Sequence, residues 1–288
     1  MQKPEVTGFF DEATYTISYV VADPETKHCA IVDSLLDYDQ ASGRTKTVSA
    51  DKLVEFVRQN GLTCEWIIDT HVHADHLTAA PYIREQLGGK TAIGDQIPVV
   101  QRVFGDIFNE GQSFHTDGSQ FDHLFKPGES YRVGNIEARA LATPGHTPAC
   151  MTHLIGDAMF VGDTIFMPDF GSARCDFPGG DAGTLYDSIQ MLFDFPDDTR
   201  MFLCHDYKAP GRDAYVWETT IGEQKRSNIH VKDGTSREDF IKMRTERDAT
   251  LAMPKLILPS VQVNMRAGDM PPPEDNGVRY MKVPINAL

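Results

Sequence analysis

Four metal-ligating side chains packed into six residues, His71-Val72-His73-Ala74-Asp75-His76, constrain this 288-residue chain more than any other stretch of it. In an extended segment residues i and i+2 point to the same side, so His71 and His73 can present two imidazoles to one ion. Asp75 and His76 are expected in the first turn of a following helix, facing elsewhere. There they can serve a second ion or the hydrogen bonds that orient the first ligands. Three more candidates each follow an apolar, strand-like run: His146 in Pro144-Gly145-His146-Thr147, Asp163 after Val161-Gly162, and His205 after Met201 to Cys204. A lone histidine is ordinarily a residue with a satisfied ring. The repetition of ligands at strand ends argues for one centre, and the fold must bring strand ends from residue 71 to residue 205 to a common edge.

The surrounding pattern supplies such strands. Residues 15–22 are rich in β-branched and aromatic residues, Pro24-Glu25-Thr26 turns the chain, and residues 29–33 return. Ser49 is the expected N-cap of a helix that carries Leu53, Val54 and Val57 on one face and ends near Asn60-Gly61. Residues 65–69 read as a buried strand running into His71, followed by a short helix from Leu77 to Gly88-Gly89 and another over 99–108. Residues 109–128, broken by Gly111, Asp117-Gly118 and Pro127-Gly128, read as a long ordered loop placed to cover the site. Strands at 130–133 and 136–142 flank Gly134-Asn135, and two further runs flank Gly156-Asp157. Leu185, Ile189 and Leu192 mark a helix, and 201–204 a strand. Helices are expected at 212–228 and 237–250, the second opened by the capping box Ser236-x-x-Asp239, with an extended Pro-rich tail after Pro254. Two βα-type halves sending strand ends to one edge imply an α/β, four-layer αβ/βα sandwich. Since the ligands run through both halves, residues 1–288 are expected to form a single domain, with 211–288 a helical and extended C-terminal extension packed on it.

Composition narrows the functional classes. A formal charge of -15 repels a phosphate backbone, so nucleic acid is not an expected partner. No run approaches the ~20 apolar residues of a membrane span, and the first residues show no apolar leader, so a cytoplasmic location and no membrane partner are expected. The five cysteines are odd in number and scattered, with no C-x-x-C, which fits buried thiols better than a disulfide framework.

The order and spacing of His71 to His76, His146, Asp163 and His205 resemble the metallo-β-lactamase superfamily over roughly residues 12–210. The resemblance implies two overlapping sites: His71, His73, His146 and Asp163 at one, and Asp75, His76, His205 and the same Asp163 at the other. Within that superfamily Gly171-Ser172-Ala173-Arg174-Cys175-Asp176-Phe177 is similar to the Gly-x-x-Arg-x-Asp-Phe loop of persulfide (sulfur) dioxygenases, relatives of glyoxalase II. His205-Asp206-Tyr207 and the tail Asn264-Met265-Arg266-Ala267-Gly268 are also similar to that group, and most of all to its β-lactamase hydrolase-like branch.

That likeness implies one Fe(II) per chain, held by His71, His146 and Asp163, with His73, Asp75, His76 and His205 as supporting residues or a second metal site. It further implies a glutathione persulfide, or a similar low-molecular-weight persulfide, and O2 as substrates, giving sulfite and thiol. Tyr207 and Asp75 are the candidates for a catalytic role. Tyr207 can donate a hydrogen bond to bound persulfide or oxygen. Arg174, whose planar fork matches a carboxylate, is the candidate substrate anchor, unless Asp176 or Asp169 takes it in an internal ion pair. Cys175 is assigned no role. The alternative is a glyoxalase II-like hydrolase of glutathione thioesters with two Zn(II), iron or manganese ions. A noncatalytic metal or redox sensor is a third reading. A homodimer is expected from family analogy.

Overall fold

In the computed structural model, which describes residues 3–287, the chain opens with the antiparallel strands β1 (Glu5–Asp11), β2 (Thr16–Ala22) and β3 (His28–Val32). A small hairpin, β4 (Leu35–Asp39) and β5 (Arg44–Lys46), leads to helix α1 (Val48–Gln59), and β6 (Thr63–Ile68) then returns parallel to β3. After the histidine cluster come β7 (Leu77–Thr78), α2 (Ala80–Leu87), β8 (Lys90–Gly94), α3 (Ile97–Ile107) and β9 (His123–Phe125). The first sheet has the order β1-β2-β3-β6-β8-β9. The second half supplies β10 (Ser130–Val133), β11 (Ile136–Ala142), β12 (Met151–Ile155), β13 (Ala158–Phe160), α4 (Ala182–Phe193), β14 (Arg200–Phe202) and β15 (Glu218–Thr220). These strands pair in sequence order in a second sheet, and α5 (Ile221–Ser227), α6 (Arg237–Asp248) and α7 (Ile257–Asn264) follow.

Period-two alternation builds the layers. Along β2, Ile17, Tyr19 and Val21 face the second sheet, where they meet Ile136, Ala138, Phe160 and Phe202. Val20 and Ala22, on the opposite face, pack against Leu53, Val54 and Val57 of α1 and Ile83 of α2. The second sheet is covered in the same way by Leu185, Ile189 and Leu192 of α4 and Phe240 of α6. The result is the expected αβ/βα sandwich, in which central strands are apolar on both faces. Among the described residues no helix is long and apolar enough to cross a membrane.

Several local expectations are corrected. Thr47, not Ser49, precedes α1; Ser49 lies within its first turn and donates from N and Oγ to Asp37, at 2.9 Å each. The helix expected from Leu77 starts at Ala80, with Pro81 in its first turn, because Leu77 and Thr78 are taken by antiparallel pairing with Leu36 and Leu35 of β4. Asp75 and His76 therefore sit in a non-helical turn. Residues 109–128 do not cover the site, and none of them lines its cavity. They pack on α3, where Gln101 accepts from the Gly118 amide at 2.9 Å, and they place β9 beside β8. In place of a helix over 212–228, Arg212 is tied to Asp206 and Asp169, β15 joins the sheet, and α5 begins only at Ile221 under a Thr220 cap. The tail after Pro254 is not all extended, since α7 occupies Ile257–Asn264. Its Pro259 falls in the first turn, where a helix tolerates proline.

Candidate metal centre

The centre begins with Asp33, just past β3, whose backbone has φ 52° and whose carboxylate is 2% exposed. Its Oδ1 accepts from the Thr70 amide at 2.7 Å and lies 2.9 Å from His73 Nε2, while Oδ2 accepts from Thr70 Oγ1 at 3.0 Å. With its proton committed to Asp33, Thr70 Oγ1 accepts from His71 Nδ1, 3.0 Å away, and the hydrogen-bond network thereby assigns His71 a free Nε2. His146 Nδ1 donates to the Arg174 carbonyl at 2.7 Å, so its Nε2 is free as well and lies 3.7 Å from Asp163 Oδ2. Ligand atoms of His71, His146 and Asp163 all lie within 4.8 Å of one another.

Two glycines permit this geometry. A Cβ on Gly145 (φ +141°) would stand 2.4 Å from the Leu185 Cα, and one on Gly162 (φ +50°) 2.5 Å from Thr70 Oγ1. The Pro-Gly-His and Gly-Asp sequences are close-approach corners as well as turns.

The remaining ligands close around the triad. The His73 ring is 4.1 Å from that of His71 and 4.2 Å from that of His76. His205 Nε2 lies 3.2 Å from Asp75 Oδ2 and 3.4 Å from Asp163 Oδ1. Among the described residues five buried atoms here make no aligned hydrogen bond, the close approach of His205 to Asp75 included: His73 Nδ1, Asp75 Oδ2, His76 Nε2, Asp163 Oδ1 and His205 Nε2. Buried polar atoms left unpaired are costly, and convergent imidazole and carboxylate donors are the donor set of a divalent transition metal. The residues present therefore fit a metal.

Electrostatics agree. Burial, with His73 and His146 beside it, holds His71 well below the ordinary histidine range, so the ring is neutral and able to ligate. Burial lowers His76 in the same direction. His73 differs: burial opposes its charge, but Asp33 outweighs that and raises it to about 9. For Asp75, burial opposes ionisation and His205 and His76 overcome it, leaving the carboxyl well below the usual range.

Asp75, His146 and Asp163 open into a cavity of about 710 Å³ lined also by Phe166, Phe170, Phe177, Leu251 and Tyr207. Tyr207 stacks on His205 with ring centroids 5.6 Å apart, and its hydroxyl has no hydrogen-bond partner among the described residues. Arg174 reaches the cavity, but its fork is spent internally. Nε and Nη2 each donate to Asp176 at 2.6 Å and Nη1 donates to the Ala252 carbonyl at 2.7 Å, while Asp169 pairs with Arg212 instead. The Cys175 thiol is buried, and burial together with Asp248 pushes it far above the reactive range. Sequence reading missed Asp33, although Ile31-Val32-Asp33 repeats the strand-then-aspartate pattern that singled out Asp163. It also missed Arg247 and Lys255, which line the cavity without an acidic partner among the described residues.

The metallo-beta-lactamase superfamily model matches residues 13–205, and the chain belongs to this superfamily, whose members bind metal ions. It is 53% identical to a probable metallo-hydrolase of Burkholderia pseudomallei over 98% of this chain and 99% of that one. It is 27% identical to the mitochondrial persulfide dioxygenase ETHE1 of Homo sapiens over 91% of this chain and 88% of that one. Among solved structures, ETHE1 from Myxococcus xanthus is 32% identical and superposes with a TM-score of 0.72, covering 92% of this chain and 100% of that one.

Proposed function

We propose that the chain is a non-haem iron-dependent persulfide dioxygenase that converts glutathione persulfide, or a similar small persulfide, with O2 and water into thiol, sulfite and two protons. The observation that carries this reading is the grouping of His71, His146 and Asp163, whose ligand atoms lie within 4.8 Å of one another with Nε2 of both histidines left free. Two histidines and one carboxylate are the facial donor set of O2-using iron sites. The likeness to persulfide dioxygenase ETHE1 and to the Myxococcus structure supports the same reading. Bound there, one Fe(II) would supply the electron transfer to oxygen that zinc cannot.

The chain's own residues supply the rest. The Phe166, Phe170 and Phe177 rings keep the cavity wall apolar, and Tyr207 offers an uncommitted hydroxyl donor to the terminal sulfur or to oxygen. Asp75, held ionised, faces His205 and the cavity floor. With Arg174 engaged by Asp176, the anchoring of a substrate carboxylate passes to Arg247 and Lys255. The cavity volume suits a small peptidic ligand. The test is oxygen uptake by iron-loaded protein purified without air. Consumption of O2 on addition of glutathione persulfide is expected, and none would refute the proposal.

The unpartnered Asp75, His76 and His205 atoms, joined by Asp163 Oδ1, favour a second reading: a two-metal thioester hydrolase, a reading to which the Burkholderia relative, a probable metallo-hydrolase, lends support for hydrolysis. Two ions per chain and turnover of a glutathione thioester would establish it.

A further inference from the structure

Neither reading of the metal centre uses the motif Asn264 to Gly268. Yet Asn264, 2% exposed at the end of α7, touches the histidine cluster directly. Its Nδ2 donates to the carbonyls of His73 and His76, each at 2.8 Å, and its Oδ1 accepts from the Thr78 amide at 2.8 Å. One side-chain amide thus takes two carbonyls of the turn that carries His73, Asp75 and His76, and the Thr78 amide of the strand that follows it. That turn is neither helix nor extended strand, and only the two-residue β7 follows it, so regular backbone pairing does little to define its shape.

The clamp is itself anchored. Gln101 of α3 donates to the Met265 carbonyl at 2.9 Å, Arg266 pairs with Glu110, and Gln262 exchanges hydrogen bonds with the Lys282 backbone at 2.8 and 3.0 Å. The amide of Asn264 is therefore presented from a fixed helix end. Both of its N–H donors meet carbonyls of the turn, and its oxygen meets the N–H of Thr78. Asn264 and its neighbours Gln262, Met265 and Arg266 lie beyond the residues 13–205 matched by the superfamily model.

We infer that Asn264 is a positioning residue of the metal centre: it holds the 73–78 turn in its metal-ready form before an ion arrives, and so sets metal affinity. Its effect passes through the turn's backbone, since its side chain bonds to no metal-ligating atom. The inference does not rest on the choice between dioxygenase and hydrolase, because the test contains no substrate. Asn264→Asp keeps the acceptor for Thr78 N–H and turns an oxygen toward two carbonyls. Asn264→Ser keeps one donor and shortens the reach.

The measurement is the dissociation constant of Zn(II) for the metal-free full chain, by competition with a chromophoric chelator, beside the thermal midpoint of the metal-free protein. Loss of an outer partner of a metal ligand costs about 10- to 100-fold in affinity. A loss of that size is expected for Asn264→Asp, with a smaller one for Asn264→Ser and faster amide exchange confined to residues 73–78. Should Asn264→Asp not fold, the Asn264→Ser affinity decides alone. A purely structural role predicts a lowered midpoint with Zn(II) affinity unchanged. Folded variants that bind Zn(II) within threefold of the parent chain would overturn the inference.

Discussion

Arg244 and Asp248, one turn apart on α6, form an ion pair with Nη2 to Oδ1 at 2.6 Å and side chains 1% and 6% exposed. The pair also braces the loop behind His146. Asp248 Oδ2 accepts from the Cys175 amide at 2.9 Å, and Arg244 Nη1 donates to the Ser172 carbonyl at 3.0 Å. Between those two points the Arg174 carbonyl takes His146 Nδ1. Asp248→Asn keeps an acceptor for Cys175 but leaves the guanidinium without a counter-charge. Removing one partner of a buried pair costs about 3–5 kcal/mol, against a total stability of about 5–15 kcal/mol. With a urea slope of about 3 kcal/mol/M, the midpoint should fall by roughly 1 to 1.7 M. Arg244→Met together with Asp248→Asn removes the stranded charge while keeping the Cys175 acceptor, so the double variant should lie within about 1.5 kcal/mol of the parent chain. Urea titrations of the two single variants and the double, at fixed metal content, complete the cycle. If the double variant loses as much as the singles added together, the pair is not coupled and the reasoning fails.

Replacing Arg247 or Lys255 by Ala should raise KM for glutathione persulfide with kcat retained, whereas Arg174→Ala should mainly lower stability; steady-state kinetics beside thermal melts separate the two. Gly145→Ala forces a methyl against the Leu185 backbone in a left-handed corner, at a cost on the order of 2–5 kcal/mol, and is expected to weaken metal binding with it, read by melting with and without Zn(II). His230, which accepts from the Ser172 amide at 2.9 Å, is lowered by burial, Arg244 and Arg247 from 6.5 to about 4. The unfolded chain therefore takes up a proton there before the folded chain does, and stability should fall as pH drops from 6.5 toward 4. Urea midpoints across that window should be flatter for His230→Gln, and an identical slope would refute the assignment.

What the sequence discloses is local. The Gly134-Asn135 hairpin and the Ser236 and Asp239 capping box depend on residues near one another in the chain, and each stands where its pattern places it. The misreadings share a long-range cause. The start of α2 is delayed because Leu77 and Thr78 pair with a hairpin some forty residues earlier. Helix α7 hides behind Pro259, since only its apolar contacts with the 97–108 region, Ile257 and Val261 among them, show that the proline opens a helix. For Arg174 the residues themselves posed both options, ligand anchor or internal pair, and side-chain packing selected Asp176. Asn264 was visible within a motif, but its partners are backbone atoms, which leave no trace in residue identity.

The contact between Asn264 and the His76 carbonyl spans 188 residues, and this separation has a consequence in time. At a synthesis rate of about 5–20 residues per second, the histidine cluster exists for roughly 10 to 40 s before Asn264 is made. During that interval the nascent chain carries imidazoles and a carboxylate on an unclamped turn, a chelator that takes ions by availability and intrinsic affinity. Selection by geometry begins only when α7 docks. The ion this protein carries is then decided partly by a race between metal encounter and the arrival of its own C-terminal helix.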